Sequence, residues 1–595
     1  MPSIPLQSTS YGIVIDAGSS GSRVQIYSWP APDKSSLTLP LIGKGGRDWQ
    51  KKVSPGISSY STHIADIGNV HLKPLLEHSK KIIPQQKHSR TPIYLLATAG
   101  MRLLPQETQQ KMLRDTCTYI LANSDFLLPD CESHIRVIDG KTEGLYGWLA
   151  LNYLMGSLDS PKAHIHGKGH HTYGFLDMGG ASAQVAFSPN ATEAEKHMED
   201  LYKVRLRTQS GESREFNIFV STWLGYGANE AHRRYVESLV SDSRQPVAPV
   251  LSRRSSDHII LDPCALKGFE ADDDPVLPEH TKFVGSGNLT ECLAKTYPLL
   301  AKGMPCNDDP CLFGGVHAPA IDFDVNHFIG VSEYWHTTTS GLFGDILPAK
   351  NAKDDSAAGA GGAYDYATFS AKVQAYCSKD WSDVLSSSDT KDVDEDRLSL
   401  MCFKGSWVMN VLHSGFGVPR TSNAPGTGTE KLVHAAESKG FVDHFKSMDT
   451  VNGVELSWTL GKMVLYASSQ VPLGTRGVAS QLLNSSENAV GFGPNNGLFV
   501  PETVNSAASR GDSESWWEEY ALGVSTFKSQ GTLSRRRLPG LVLFVFIFVM
   551  MAYVIIGKVR RRKLTFTLTP KRYRRRVFGM RSGDSTPNMI ASGMI

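Results

Sequence analysis

Hydrophobic positions in the N-terminal part of the chain fall in short continuous runs rather than in alternation. YGIVID at 11–16, IYLLAT at 93–98, IRVID at 135–139 and YGFLD at 173–177 read as strands covered on both faces. The stretches between them, 106–122 and 143–155 for example, are long enough for crossover helices, so the pattern predicts an α/β fold. Gly/Ser/Asp/Pro-rich segments at 352–364, 385–397 and 420–431 read as loops. Near the end of the chain, residues 538–557 run twenty positions without a charge or a polar face. A helix of that length covers roughly 30 Å, which predicts one membrane span.

Composition changes the picture in one respect, the distribution of charge. The 595 residues are 41% hydrophobic and 20% charged, a globular composition at a length that favours more than one domain. The formal charge is +2, but residues 558–595 carry eleven Lys/Arg against Asp584 alone, a net of +10 that leaves −8 on the rest. An acidic body argues against nucleic acid as a partner. Three basic residues, 535–537, precede the apolar stretch, so the basic asymmetry places the C-terminus in the cytosol and residues 1–537 across the membrane. The basic tail could also meet an anionic cytosolic leaflet.

Two features of the body agree with that topology. All eight Cys precede the span, and an even count in an oxidising compartment reads as disulfides. Pairing in sequence order, 117–131, 264–292, 306–311 and 377–402, is expected because each pair encloses a short segment. Sequons at Asn190, Asn288 and Asn484 lie on the same side. Residues 1–12 carry no apolar core of a signal peptide, so the body is expected to cross without a cleaved leader or to follow an upstream start. His164, His166, His170 and His171 lie in a Gly/Lys-rich loop and are read as linker rather than metal site.

An internal echo carries the chemistry. YGIVIDAGSSGSR at 11–23 and YGFLDMGGASAQ at 173–184 each end a hydrophobic strand in Asp, then x-Gly, then small residues. Two copies suggest two similar lobes facing one another across a cleft. Small residues directly after a strand let backbone N–H groups approach a phosphate, so GSSGS and GGAS read as two phosphate grips. Asp16 and Asp177 head them, and a carboxylate pair at a phosphate site suits a hard divalent cation that keeps its waters. No Walker-A pattern occurs; GTGTEK at 426–431 fails it.

The segments YGIVIDAGSSGSR, LLATAGMR at 95–102, IDGKTEGLYGWLALNY at 138–153, LDMGGASAQVAF at 176–187 and SWTLGKM at 457–463 resemble, in order, the five signature blocks of the apyrase and nucleoside-diphosphatase (NTPDase) family. STWLGYGAN at 221–229, MPCNDDPCLFGGVHAP at 304–319 and CFKGSWVMNVLHSGFG at 402–417 also match, so the likeness runs over roughly residues 11–470. The DAGSSGSR form and the lone C-terminal span are most similar to the membrane-anchored Golgi apyrases.

The resemblance implies two RNase H-like lobes of the actin and sugar-kinase superfold around a nucleotide cleft. In this chain lobe I is expected over 11–165 with 455–500 and lobe II over 166–454. A short tail at 1–10, a stalk at 501–537, the span at 538–557 and the basic tail at 558–595 complete the division.

By the same resemblance Glu143 is the base that takes a proton from the attacking water, and Ser182 and Gln184 hold that water. Asp16 and Asp177 hold Ca²⁺, Mg²⁺ or Mn²⁺ through its own waters. Ser19, Ser20, Gly21, Ser22, Thr98, Gly179, Gly180 and Ala181 bind phosphate. Ala183 stands where many members carry Thr, and Arg23 belongs to the subgroup pattern. Tyr334, Trp335 and Trp407 are implied as base-stacking residues, whereas Trp458 is expected at the lobe interface.

The activity implied is hydrolysis of nucleoside di- and triphosphates, GDP and UDP among them, in the Golgi lumen. Two alternatives are a sugar kinase of the same superfold, disfavoured by Glu143 in a water-activating block, and a non-catalytic nucleotide-sensing module, disfavoured by the complete residue set.

Overall fold

The computed structural model describes residues 9–44, 47–159, 171–243, 258–271, 281–339, 362–388, 390–391, 393–420, 444–474 and 489–502. The predicted span and basic tail, the stalk beyond Glu502, His164, His166, His170 and Asn484 lie outside these residues. No helix among the described residues is long and apolar enough to cross a membrane.

All four predicted strands form, and they seed two mixed sheets. In the first, Thr9–Ala17 pairs antiparallel with Ser22–Pro30 on one side and parallel with Ile93–Ala97 on the other, and Ile135–Val137 follows in parallel. Short strands Gly43–Lys44 and Gln50–Val53 add to the outer edge of Ser22–Pro30. In the second, Gly174–Met178 pairs antiparallel with Ser182–Phe187 and parallel with Phe328–Ser332, which is followed in parallel by Phe445–Ser447. Each sheet therefore centres on a strand that turns back into a hairpin on one side and meets crossover-connected parallel strands on the other. Ile93–Ala97 and Gly174–Met178 are buried at every position, as continuous apolar runs require.

Gln106–Asn123 and Gly140–Leu154 are the helices expected between the strands. Gly140–Leu154 and Trp458–Ser469 lie between the two sheets. Their Tyr146, Trp148, Leu149, Leu460 and Met463 share one core with Val14 and Tyr27 of the first sheet and with Phe175, Ala186 and Ile218 of the second. Trp458 packs there against Tyr146, ring centroids 6.3 Å apart. Separate cores fill the outer face of each lobe.

One part of the expected division is corrected. Gly491–Pro494, grouped with lobe I, pairs with Tyr202–Arg207 and extends the second sheet. Phe492 fixes that register by meeting Tyr146 edge-on in the central core, at 5.7 Å between centroids.

The disulfides are Cys117–Cys131, Cys264–Cys292, Cys306–Cys311 and Cys377–Cys402, the sequence-order pairing. Two of the sequon asparagines act as helix caps: the Asn190 side chain accepts from the Glu193 amide and that of Asn288 from the Glu291 amide.

Candidate active site

The two hairpins that carry the echo close in the same way. Gly18 N–H donates to Gly21 O at 3.0 Å, and Gly179 N–H donates to Ser182 O at 3.0 Å. Asp16 and Asp177 thus occupy equivalent places at the ends of the two central strands, next to their turns.

The turns also approach one another across the lobes. A Cβ on Gly180 would lie 2.8 Å from Ser19 Oγ, and one on Gly100 would lie 2.9 Å from Ser19 Cα, so both positions exclude a side chain. Thr98 is buried, and its amide donates to Ala17 O at 3.2 Å, which seats the 95–102 block against the first hairpin. The second turn is held from behind by the Ala228–Ser243 helix, whose first amides, on Ala228 and Asn229, donate to Gly179 O and Gly180 O at 2.9 Å each.

Glu143 enters from the first turn of Gly140–Leu154, a helix capped by Asp139, whose carboxylate accepts from Thr142 N–H at 2.8 Å. Gln184 lies opposite Asp177 in the second hairpin. Its amide donates to Glu143 Oε2 at 3.2 Å and to Ser182 Oγ at 2.7 Å, joining the three residues in one line. Ala183, between them, is wholly buried, and strand alternation turns it to the opposite face from Ser182 and Gln184.

Two partners of these carboxylates escaped the sequence reading. Arg102, the last residue of LLATAGMR, donates from its guanidinium to Glu143 Oε2. Its place at the end of a matching block was the available signal. Ser332 ends the strand beside Asp177, and its side chain pulls the Asp177 carboxyl down against the effect of burial. Its φ of 56° lies in the left-handed region, a conformation that costs a non-glycine residue about 1–3 kcal/mol. No sequence pattern announces such a conformation at a serine.

The site carries three carboxyls in close company, and burial raises the pKa of each. Asp16 is pushed up to about 8 by burial and then by Glu143, with Arg23 opposing; Asp177 is pushed up to about 6 by burial. Glu143 is raised to about 7 by burial, against the pull of Arg102. Asp16 Oδ1 and Asp177 Oδ1 are both sealed from solvent without a hydrogen-bond partner. Two unsatisfied, mutually repelling carboxylate oxygens beside two tight small-residue turns fit a divalent cation.

The remaining expectations divide. Ser22 Oγ is buried and hydrogen-bonded to His71 Nε2 at 2.6 Å, so its hydroxyl does not face a phosphate. Arg23 sits opposite Asp16 in the hairpin and is ion-paired with Glu455. Tyr334 and Trp407 are corrected: both are fully buried in the second-lobe core, Tyr334 against Phe445 and Trp407 donating its indole N–H to Tyr226 O at 3.2 Å. Neither presents a free ring face. Trp335, on the same short helix as Tyr334, is only half-buried.

Paired hairpins, facing carboxylates and a buried Glu–Gln–Ser line thus bring four of the sequence blocks together at one place. The chain belongs to the GDA1/CD39 (nucleoside phosphatase) family, which it matches over residues 4–481. It is 42% identical over 473 residues to a Golgi apyrase of Schizosaccharomyces pombe, covering 77% of this chain and 76% of that protein. A Golgi apyrase of Saccharomyces cerevisiae is 39% identical over 482 residues, 78% of this chain and 71% of the relative. The nucleoside-diphosphatase mig-23 of Caenorhabditis elegans is 33% identical over 482 residues, 77% of each chain. Among solved structures, nucleoside triphosphate hydrolases from Neospora caninum align with a TM-score of 0.48 at 14% identity, over 81% of this chain and 95% of that one.

Proposed function

We propose that the chain is an apyrase that hydrolyses nucleoside tri- and diphosphates, GDP and UDP among them, to monophosphates by direct attack of water on the terminal phosphate. The observation that carries this reading is the buried line of Glu143, Gln184 and Ser182 beside two carboxylate-headed phosphate turns. Family membership and the Golgi apyrase relatives support the same activity.

Backbone amides of the 18–21 and 179–181 turns, with the hydroxyls of Ser19, Ser20 and Thr98, hold the phosphates. The Ser182 hydroxyl and the Gln184 amide hold the attacking water. Glu143, ionised, accepts its proton as the new P–O bond forms, and the bond to the bridging oxygen breaks with the nucleotide leaving as an anion. Arg102 positions the Glu143 carboxylate and keeps its pKa near neutrality, where a base works best. Apyrases of this family depend on a divalent cation. Asp16 and Asp177 would hold it through water, as Ca²⁺, Mg²⁺ or Mn²⁺, and when bound it neutralises phosphate charge.

In this reading lobe I spans 11–165 with 455–488 and lobe II spans 166–454 with 489–501. The 538–557 helix anchors the protein in the Golgi membrane with the catalytic domain lumenal and the basic tail cytosolic, where anionic lipid would favour it. Hydrolysis there would remove the nucleoside diphosphates that glycosyltransferases release.

The test is phosphate release by purified protein from GDP and UDP with Ca²⁺ or Mn²⁺ and no acceptor. Release without an acceptor is expected, and its absence would refute the activity. For the topology, protease treatment of sealed microsomes should spare the body and remove the tail; the reverse pattern would place the cleft in the cytosol.

A further inference from the structure

Apart from the Asp16, Glu143 and Asp177 group, a second set of ligating atoms converges where the 304–319 block meets the turn after the Ala191–Lys196 helix. The Cys306–Cys311 disulfide closes a small loop, and Cys311 bridges to His317 on its return. His197 and Asp200 come from the facing turn. His317 Nε2 lies 3.2 Å from His197 Nδ1. Asp200 Oδ2 lies 3.4 Å from His317 Nε2 and 3.8 Å from His197 Nδ1. A carboxylate oxygen of Asp308 is within 4.8 Å of a nitrogen of each ring.

The surroundings decide where the ring protons sit. His317 Nδ1 faces two carbonyl oxygens, Asp308 O at 2.8 Å and Pro310 O at 3.1 Å, so it carries the hydrogen and leaves Nε2 a lone pair. His197 Nε2 faces Glu193 Oε2 at 3.6 Å. Glu193 is itself fixed by Lys196 at 2.7 Å and by the Ala320 amide at 2.9 Å, so a held carboxylate stands beside His197 Nε2 while Nδ1 turns toward His317. The two facing ring nitrogens, hydrogen-bonded to one another, and the Asp200 carboxylate oxygen converge on one point, and an ion bound there would take the place of the shared hydrogen. Their separations are close to the edge of a tetrahedron around an ion bound at 2.0–2.1 Å, about 3.3–3.4 Å. Both rings are only 11–12% exposed, which shelters such an ion while Asp200, 47% exposed, leaves an approach.

We propose that His197, His317 and Asp200, with Asp308 beside them, form a transition-metal site of the Zn²⁺ class that fastens the disulfide loop to the Ala191–Lys196 helix. Imidazole nitrogens select such ions over the hard cations that the oxygen-only pair of Asp16 and Asp177 suits. Glu193 and the Asp308 carbonyl serve as the outer partners that orient the two rings.

The experiment uses the full-length protein, kept in Ca²⁺ for activity, equilibrated with ZnCl₂ and desalted, with zinc per chain measured by mass spectrometry. Wild type should retain about one zinc more than the double variant His197→Ala/His317→Ala. Co²⁺ in place of zinc should give tetrahedral visible absorption in wild type alone. Ca²⁺-supported phosphate release should be equal in the two proteins. Glu193→Gln and Asp200→Asn, which keep both rings, should weaken zinc binding by roughly 10–100-fold, a readout that survives if the double variant fails to fold. Equal zinc content in wild type and variants, with no cobalt band, would overturn the site and leave a hydrogen-bonded histidine pair in its place.

Discussion

Arg102 and Glu143, forty-one residues apart, meet through a guanidinium–carboxylate hydrogen bond that links the end of the short helix Ala99–Arg102, which follows strand Ile93–Ala97, to the helix between the sheets. The pair is mostly buried, with 14% and 11% of the side chains exposed. A cation so placed favours the ionised base. Removing it, as in Arg102→Gln, should raise the Glu143 pKa further above the about 7 it already has. The acid limb of the kcat/KM profile should move toward alkaline pH, with activity below neutrality falling roughly tenfold or more and recovering at higher pH. A uniform loss at every pH would show a structural role alone.

Glu143→Gln retains the shape of the side chain but cannot accept a proton. Turnover of GDP should fall by about 10²–10⁴-fold while nucleotide binding, read by equilibrium titration, stays close to wild type. Activity above about a tenth of wild type would remove Glu143 from the role of base.

Linkage between pH and the divalent cation follows from the carboxyl cluster. Asp16, Glu143 and Asp177 have folded-state pKa values of about 8, 7 and 6, all above the ordinary carboxyl values of 3.8–4.5. A raised carboxyl pKa means that the cation-free fold binds protons more tightly than the unfolded chain. Its stability contribution is full below about pH 4 and is lost as pH rises toward about 8. A divalent cation favours the ionised forms, so the rise in Tm on adding Ca²⁺ should be small near pH 4–5 and largest near pH 8. Equal shifts at both ends would disconnect the cation from these carboxyls.

Lys462 is buried against Glu502, with its ammonium 4.2 Å from the centre of the Tyr94 ring. Lys462→Met leaves Glu502 buried and unpaired, and should cost about 3–5 kcal/mol in denaturant unfolding. Replacing both, as Met and Leu, should recover most of that loss.

Trp407 and Trp335 should behave oppositely. Trp407→Ala opens a cavity in the second-lobe core and should cost about 3–5 kcal/mol of stability with KM for GDP unchanged in the folded protein. Trp335→Ala should leave stability nearly intact and weaken nucleotide affinity by about 1–3 kcal/mol if its half-exposed ring meets the base.

What the sequence determined by itself is what depends on near neighbours in the chain. Continuous apolar runs made Ile93–Ala97 and Gly174–Met178 interior strands, because a strand buried on both faces has no polar positions to alternate. Asp followed by x-Gly and small residues marked both turns, since only small side chains let the backbone fold back so tightly. The disulfides were legible in order because each joins cysteines close in the chain, at sequence separations of 5 to 28. Tertiary packing alone decided which distant groups meet. Trp407 and Tyr334 have the composition of stacking platforms, yet the second-lobe core needed their area more than solvent could offer it a use. Ser332 comes to the Asp177 carboxyl only because its strand pairs in parallel with Gly174–Met178. His197 and His317, 120 residues apart, face one another at 3.2 Å only because the second lobe folds the disulfide loop onto the Ala191–Lys196 helix. Periodicity records which face of an element is buried; it holds no record of what lies across from it, and that is settled by the way the elements pack.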